Sequence, residues 1–372
     1  MGNWTERELV FALNEIIGIG WHTIRALGDR VGFTGLADWL NRPASDWAEL
    51  GIKPSMARKL AGGFRADRLE DRLELANTAK IEWITRWDEG YPPLLQEIPQ
   101  PPWILYGKGD WTVLSSDAIA IVGTRNPTVY GKKVALQLAE QLGCAGFLIV
   151  SGLARGIDAC SHEGALIQGR TAAVMGTAFD RIYPYENANL ARRIAESGIV
   201  ITEYPLGTPS HPGLFPRRNR IIAGLTLGTV VVEAAMGSGA LITADFATES
   251  FREVFVVPGP VTSPKSAGPL FLMRNGARPI AHAEDIMEEL KARLTTVTLP
   301  YNNGTVGFTE SEPLTEEERR ICELIRLEGS TFEELLLASG LPFAELHRIL
   351  LSLQLKQRVR EAQGAVYHSI WI

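Results

Sequence analysis

The sequence predicts an α/β protein built on a doubly wound parallel sheet, and three observations lead to this prediction. Short apolar runs, such as residues 118–122 and 147–150, alternate with amphipathic stretches at helical spacing. The runs are almost continuously aliphatic, as at 230–232, which is typical of strands covered on both faces. Three of them lead into glycine-containing turns, and ligands of open α/β sheets bind at such carboxyl edges.

The alternation continues along the chain after the first strand–helix–strand unit, whose helix is predicted between residues 125 and 147. Each later apolar run is followed by an amphipathic one, which favours a single large sheet. Strands are predicted at 171–176, 199–204, 229–234 and 254–257, and helices at 189–197, 217–224, 240–251, 269–275 and 283–294.

Composition restricts the class of protein. The 372 residues suffice for two or three domains, and 45% hydrophobic and 22% charged residues are ordinary for a globular protein. The cysteines, Cys144, Cys160 and Cys322, form no CxxC pair, which argues against structural zinc and fits a reducing cytoplasm. No apolar run is long enough to span a bilayer, so no membrane partner is expected. Because the net charge is −6, binding to nucleic acid would require locally concentrated positive charge.

Residues 1–78 are predicted to form a helical domain. Two short helices joined by Gly18-Ile19-Gly20 resemble a helix-hairpin-helix, whose turn amides can contact a DNA phosphate. Few basic residues flank this turn in the sequence, Arg25 and Arg30 among them. We therefore interpret the segment as a packing module.

The α/β domain is predicted to occupy residues 79–295, a linker 296–312, and a further domain 313–372. Three helical patterns and two short alternating segments in the last domain indicate a winged helix. This domain carries seven basic against nine acidic residues, and Arg348 is the single arginine or lysine in its predicted recognition helix, 343–355. A protein-contact role is therefore favoured over DNA reading.

The first predicted binding turn is Gly123-Thr124-Arg125, where the guanidinium lies beside backbone amides and suits a phosphate. A dinucleotide loop does not fit, because there is no GxGxxG. The second strand also ends at Ser151, where a dinucleotide-binding protein carries an acidic residue. Phosphate binding without a cofactor is predicted.

The second turn contains Ser151, Gly152 and Arg155, and Asp158 is expected to cap the helix that follows. Asp158 and His162 are too few ligands for a metal, so no metal is expected.

The third turn is Gly237-Ser238-Gly239, and it too precedes a helix. A free nucleotide needs one phosphate-binding turn, whereas a nucleic-acid strand needs several. We call the three turns together, residues 123–125, 151–155 and 237–239, the rim. Lys265 and Arg274 are candidates to extend it.

The sharpest basic cluster follows an aromatic residue at a predicted helix start. Arginines can bind phosphates, and the ring can stack on a base. The cluster consists of Phe215, Arg217, Arg218, Asn219 and Arg220.

An enzyme is the alternative. Glu203 and Glu233 are predicted at strand ends, where nucleotide-cleaving enzymes of this fold can place a carboxylate. The second hypothesis is therefore a nucleotide or nucleoside phosphate hydrolase.

Residues 80–290 resemble the DprA (DNA-processing, Smf) family of bacteria. The resemblance rests on VGTRNPTVYG, SGLARGIDACSHEGAL, DRIYPYENANL, TEYPLGTPSHPGLFPRRNRIIAGL, EAAMGSGALITADFA and VPGP, and on the upstream pairs Tyr91-Pro92 and Pro102-Trp103. The flanking units also resemble the SAM-like and winged-helix units of family members.

The resemblance implies an extended Rossmann fold that binds single-stranded DNA without sequence preference. It implies a non-catalytic homodimer that protects incoming DNA and loads the RecA recombinase during competence and natural transformation. By motif, Gly123, Thr124 and Arg125 would hold phosphate. Phe215, Arg218 and Arg220 of FPxRNR would line the same groove, with Arg217 an added charge.

Overall fold

The structure is a computed structural model that describes residues 4–294, 315–325, 330–355, 359–362 and 366–369. The chain divides into two compact units, Met1–Leu299 and Pro300–Ile372. The predicted linker, 296–312, lies outside the described residues, and the division at residue 78 stays a prediction. No helix in the described ranges has both the length and the apolarity to cross a membrane.

The first unit begins with helices and then forms a nine-stranded sheet. Its helices are α1 (Glu6–Asn14), α2 (Trp21–Val31), α3 (Ala44–Glu49), α4 (Pro54–Gly63), α5 (Ala66–Thr78), α6 (Pro93–Gln96), α7 (Val129–Cys144), α8 (Ile157–Gln168), α9 (Ala188–Ser197), α10 (Leu214–Gly224), α11 (Gly239–Glu249), α12 (Ala267–Arg274) and α13 (Ala283–Leu290). Its strands are β1 (Glu82–Thr85), β2 (Ile104–Gly109), β3 (Ala118–Val122), β4 (Leu148–Ser151), β5 (Arg170–Val174), β6 (Ile199–Thr202), β7 (Gly228–Val231), β8 (Glu253–Val256) and β9 (Arg278–Pro279).

The strand order is β1-β2-β6-β5-β4-β3-β7-β8-β9. From β6 to β9 all pairings are parallel, as in Ile121 opposite Val230, whereas β2 pairs antiparallel with β6. The chain moves outward from β3 through β4, then returns to the other side of β3 as β7. Between β3 and β7 the sheet therefore has its topological switch point, where doubly wound folds bind ligands.

Alternate residues of the central strands pack on opposite faces of the sheet. Ala120 and Val150 contact the layer that contains α10 and α11, and Ile121 and Ile149 contact the layer that contains α7 and α8. This two-sided burial explains the continuous aliphatic runs and confirms the predicted doubly wound class. The helix predicted at 217–224 begins earlier, at Leu214.

Helices α1 to α5 pack on the antiparallel end of the sheet, around Trp103, Ile104 and Tyr106. A buried polar contact fastens them there: Glu15 accepts a hydrogen bond from the Tyr106 hydroxyl at 2.5 Å and pairs with Arg72.

The second unit is the predicted winged helix. Its elements are α14 (Glu316–Leu324), β10 (Ser330–Thr331), α15 (Phe332–Ser339), α16 (Phe343–Leu355), β11 (Val359–Ala362) and β12 (Val366–Ser369). Strands β10, β12 and β11 form an antiparallel sheet, and Leu346 and Leu353 of α16 are buried in the core.

Candidate functional site

A cavity of about 540 Å³ opens at the switch point, between the end of β3, the third turn and the first turns of α10 and α11. It combines residues that are far apart in sequence. The predicted site residues that line it are Gly123, Arg125, Phe215, Arg218, Asn219, Ser238 and Gly239.

A second, smaller cavity of about 130 Å³ adjoins the first, and Arg125, Phe215 and Arg218 form part of both walls. It adds Gly152 and Arg155 from the second predicted turn. The remaining predicted residues line neither cavity; these are Thr124, Ser151, Arg217, Arg220, Gly237, Lys265 and Arg274.

Arg125 is the exposed cation among the residues that line the larger cavity. Its guanidinium carbon lies 5.9 Å from the Phe215 ring centroid, and it forms no ion pair with any described residue. The Tyr183 ring lies 5.4 Å from the same Phe215 ring. A free guanidinium therefore adjoins two aromatic rings, a combination that can hold a phosphate and stack on a base.

The turn after β3 is positioned by Glu233, at the end of β7. The Thr124 amide donates to the Glu233 carbonyl at 2.6 Å, and the Glu233 carboxylate accepts from the amide and hydroxyl of Thr128 at 2.8 and 2.5 Å. These hydrogen bonds fix the backbone on both sides of Arg125 and so hold it in place. They also occupy the Thr124 amide and the Glu233 carboxylate.

Arg218 is buried, with 4% of its surface exposed. It donates to the carbonyls of Gly152, at 2.7 Å, and Val174, and it faces the carboxylate of Asp158. Burial lowers the pKa of Arg218 to about 10, against the attraction of Asp158. This arginine joins the ends of β4 and β5 from inside the protein.

Asp158 does not cap α8, contrary to the sequence prediction. The N-cap residue is Gly156, and the Asp158 carboxylate accepts hydrogen bonds from the amides of Gly152 and Ala154 at 3.2 and 3.4 Å. A buried carboxylate requires donors, and the second turn folds back to supply them. Burial raises the pKa of Asp158, opposed mainly by Arg218. The amides of Gly152 and Ala154 were expected to bind phosphate, but they already donate to Asp158.

Asn219 connects α10 to the third turn. Its side-chain amide donates to the Gly239 carbonyl at 3.1 Å, and its oxygen accepts from Arg218 at 3.2 Å. In the third turn, Gly237 has φ +77°, a conformation that L side chains rarely adopt. Ser238 caps α11 by accepting from the Ala240 amide. This helix start lines the larger cavity and favours anions.

Arg220 and Arg217 differ in their surroundings. The Arg220 guanidinium donates to Glu203 at 2.5 Å, and both side chains are largely buried. Arg217 is exposed on α10. Glu203 is thus paired with a cation and lines neither cavity.

His162 is a packing residue. It is fully buried, and its Nδ1 lies 2.7 Å from the Thr171 hydroxyl, which itself donates to the Ile149 carbonyl. Burial lowers the pKa of His162 to about 3, and the nearby Arg218 acts in the same direction. Within the described ranges, no three His, Cys, Asp or Glu side chains are arranged to hold a metal ion.

Tyr183 lines both cavities, although it was not predicted as a site residue. Its signal was weak but present: two tyrosines flank Pro184 in the segment between β5 and α9.

The fold and the cavity define a Rossmann-like α/β protein that can take an anion and a flat ring at its switch point. The model of DNA recombination-mediator protein A matches residues 82–291, and the DprA winged-helix model matches residues 309–365. The chain belongs to the DprA/Smf family of DNA-processing proteins, which confirms the resemblance noted in the sequence.

Relatives and solved structures agree. The chain is 47% identical to the DNA processing protein DprA of Bacillus subtilis over 57% of its length and 72% of the relative's. It is 32% identical to the protein Smf of Synechocystis over 98% of both chains. It resembles the X-ray structure of Streptococcus pneumoniae DprA with a TM-score of 0.66 and 31% identity, over 77% of this chain and 99% of the other. A Helicobacter pylori DprA structure, described for its single-stranded DNA binding mode, aligns with a TM-score of 0.52 and 30% identity, over 57% and 98%.

Proposed function

We propose that this protein is a recombination mediator that binds single-stranded DNA across the rim. The observation that carries the proposal is the switch-point cavity, where Arg125, unpaired among the described residues, adjoins the Phe215 ring. Single strands are held by cations that meet the backbone and by rings that stack on bases. The relative from Helicobacter pylori is described as binding single-stranded DNA, which supports the same ligand here.

A strand fits this surface better than a free nucleotide. Two adjoining cavities share a wall, so one strand can contact both as it crosses this edge of the sheet. Beyond this wall, the larger cavity is also lined by the start of α11, with its anion-favouring dipole. We propose phosphate contacts for Arg125 and the third turn, and for Arg155 when a phosphate replaces its ion-pair partner, Glu186.

The rest of the proposed site positions these groups. Arg218, Asn219 and Thr124 have hydrogen-bonding partners inside the protein, so their role is to hold the rim in shape. Lys265 supports the rim through its backbone. Its carbonyl accepts a hydrogen bond from the Ala234 amide at 2.8 Å, beside the third turn.

The hydrolase alternative receives less support from the geometry. Glu203 is paired with Arg220, and Glu233 accepts two hydrogen bonds from Thr128. Neither carboxylate lines a cavity. A non-catalytic role is therefore part of the proposal, and release of free base from mononucleotides would contradict it.

The partners are proposed from the family. They are a second copy of this chain and the RecA recombinase, with DNA handed over in the cytoplasm during natural transformation. The winged-helix unit is proposed as a protein contact, because Arg348 of α16 already pairs with Glu317 at 3.7 Å.

Fluorescence anisotropy with oligothymidylate and oligoadenylate of equal length tests the proposal. Arg125→Ala should weaken binding to both by about tenfold and reduce the salt dependence by about one phosphate contact. The matched control is Arg192→Ala, an exposed arginine on α9. Equal affinity of Arg125→Ala and Arg192→Ala would remove the proposed site.

A further inference from the structure

The helical segment contains an internal repeat. Residues 16–27, IIGIGWHTIRAL, align without gaps to residues 49–60, ELGIKPSMARKL. Glycine, isoleucine, arginine and leucine recur at the same places. The aligned identical pairs are Gly18 and Gly51, Ile19 and Ile52, Arg25 and Arg58, and Leu27 and Leu60. Each copy covers a tight turn and the start of the helix after it, and the helix before the turn is α1 in the first case and α3 in the second. The segment is therefore a duplicated helix-hairpin-helix.

The two turns share a glycine conformation and a hydrogen-bond pattern at the start of the second helix. Gly18 has φ +88° and Gly51 has φ +69°. In the first hairpin, the amides of residues 23 and 24 donate to the Gly20 carbonyl. The amides of residues 56 and 57 donate to the Lys53 carbonyl in the same way. Both glycines are exposed on the surface of the segment.

Each turn is approached by a basic side chain from the other hairpin. The Lys59 ammonium, on α4, lies so close to Gly18 that a methyl group there would overlap it. Reciprocally, a guanidinium nitrogen of Arg30, on α2, lies within van der Waals distance of the position a Gly51 side chain would take. Sequence alone could not show this, because both contacts join different hairpins.

The charge around the turns is available to a ligand. Lys53, Arg58 and Lys59 are exposed and form no ion pair within the described ranges. Arg30 is less available, because it also donates to the Leu50 carbonyl. Glu49 is an exposed acidic neighbour of the second turn, so the first turn should contribute more.

We propose that the duplicated hairpins bind the phosphate backbone of duplex DNA, as a surface separate from the rim, and so are more than the packing module inferred from the sequence. Backbone amides and lysines of this kind contact phosphates without reading bases. A duplicated contact suits a ligand that presents the same group on two strands. The aromatic residue at the first turn, Trp21, is stacked 5.9 Å from Trp103 and donates to the Pro101 carbonyl at 2.7 Å, so it is no platform for an unpaired base.

The test measures binding of the full chain to a blunt-ended duplex without single-stranded tails. The double variant Lys53→Ala/Lys59→Ala should bind the duplex about tenfold more weakly and lower the salt dependence by up to two phosphate contacts. It should bind oligothymidylate within about twofold of the unmodified chain. Arg68→Ala, an exposed arginine on α5 outside the hairpins, is the matched control.

Arg125→Ala tests whether the duplex binds the hairpins or the rim. It should leave duplex affinity unchanged, whatever its effect on the binding of single strands. The proposal is overturned if the double variant binds the duplex as Arg68→Ala does. It is also overturned if Arg125→Ala removes duplex binding, since the duplex would then occupy the rim. Lys59→Gln, which keeps most of the side-chain stem, repeats the measurement if the double variant unfolds.

Discussion

Arg125 and Arg218 lie in the same cavity wall, but they differ in exposure and therefore in role. Arg125 is exposed beside Phe215, whereas Arg218 is buried against two carbonyls and Asp158. An exposed arginine can exchange water for phosphate at little cost, while a buried one is committed to its internal partners.

Arg218→Leu should therefore destabilise the protein by about 3–5 kcal/mol, because Asp158 would be left buried without its cation. Arg125→Ala should change stability by no more than about 0.5 kcal/mol. Urea unfolding of both variants checks this prediction. Similar stabilities would show that Arg218 is not the structural tie inferred from its contacts.

His162 gives the molecule a pH dependence whose sign can be worked out. Its folded pKa is about 3, and its ordinary value is 6.5, so between these values the unfolded chain binds a proton that the folded chain does not. The free energy of unfolding should fall as pH drops through this window, by up to about 1.4 kcal/mol per pH unit from this residue. In His162→Gln the decline should be shallower. Parallel curves for the two proteins would contradict the burial of a neutral imidazole.

At the scale of the element, the three turns of the rim are not equivalent. The second is closed by Asp158 and Arg218, so a methyl group on Gly152 would lie 2.5 Å from Arg218 and 2.7 Å from Asp158. The third is open, and a methyl group on Gly239 would meet no atom within 4 Å.

Gly152→Ala should accordingly lose about 1–3 kcal/mol of stability through overpacking. Gly239→Ala should be as stable as the unmodified chain, yet bind single strands more weakly, because its methyl group would occupy the cavity wall. Thermal unfolding and anisotropy measured on both variants distinguish the effects. If Gly239→Ala binds normally, the third turn does not contact DNA.

Much of this architecture could be predicted from sequence, for local reasons. Aliphatic runs such as 118–122 identify buried strands, and the glycine turns mark their carboxyl ends. Roles within the site could not be predicted, because they depend on distant partners. Arg218 bonds to carbonyls 44 and 66 residues away, which turns a predicted phosphate ligand into a structural tie. The contact between Lys59 and Gly18 could not be predicted either, because it joins residues of different hairpins.

For the molecule as a whole, the sheet topology decides where the ligand goes. The reversal of strand order between β3 and β7 creates the cavity, and all three turns of the rim belong to the first unit. The second unit supplies its own core around Leu346 and Leu353.

A chain ending at Leu299 should therefore bind oligothymidylate within about threefold of the full chain. The removed unit carries more acidic than basic residues, so it adds little attraction for phosphate. Anisotropy at matched salt concentration measures this. A loss of more than about tenfold would assign the winged helix a direct share of DNA binding.

The most direct measurement is a crystal structure of the full chain with a short oligothymidylate. The strand should cross the switch point, with a phosphate at Arg125, a base against Phe215, and the start of α11 facing the backbone. A strand bound elsewhere, with the switch-point cavity empty, would contradict the central claim that this edge of the sheet holds single-stranded DNA.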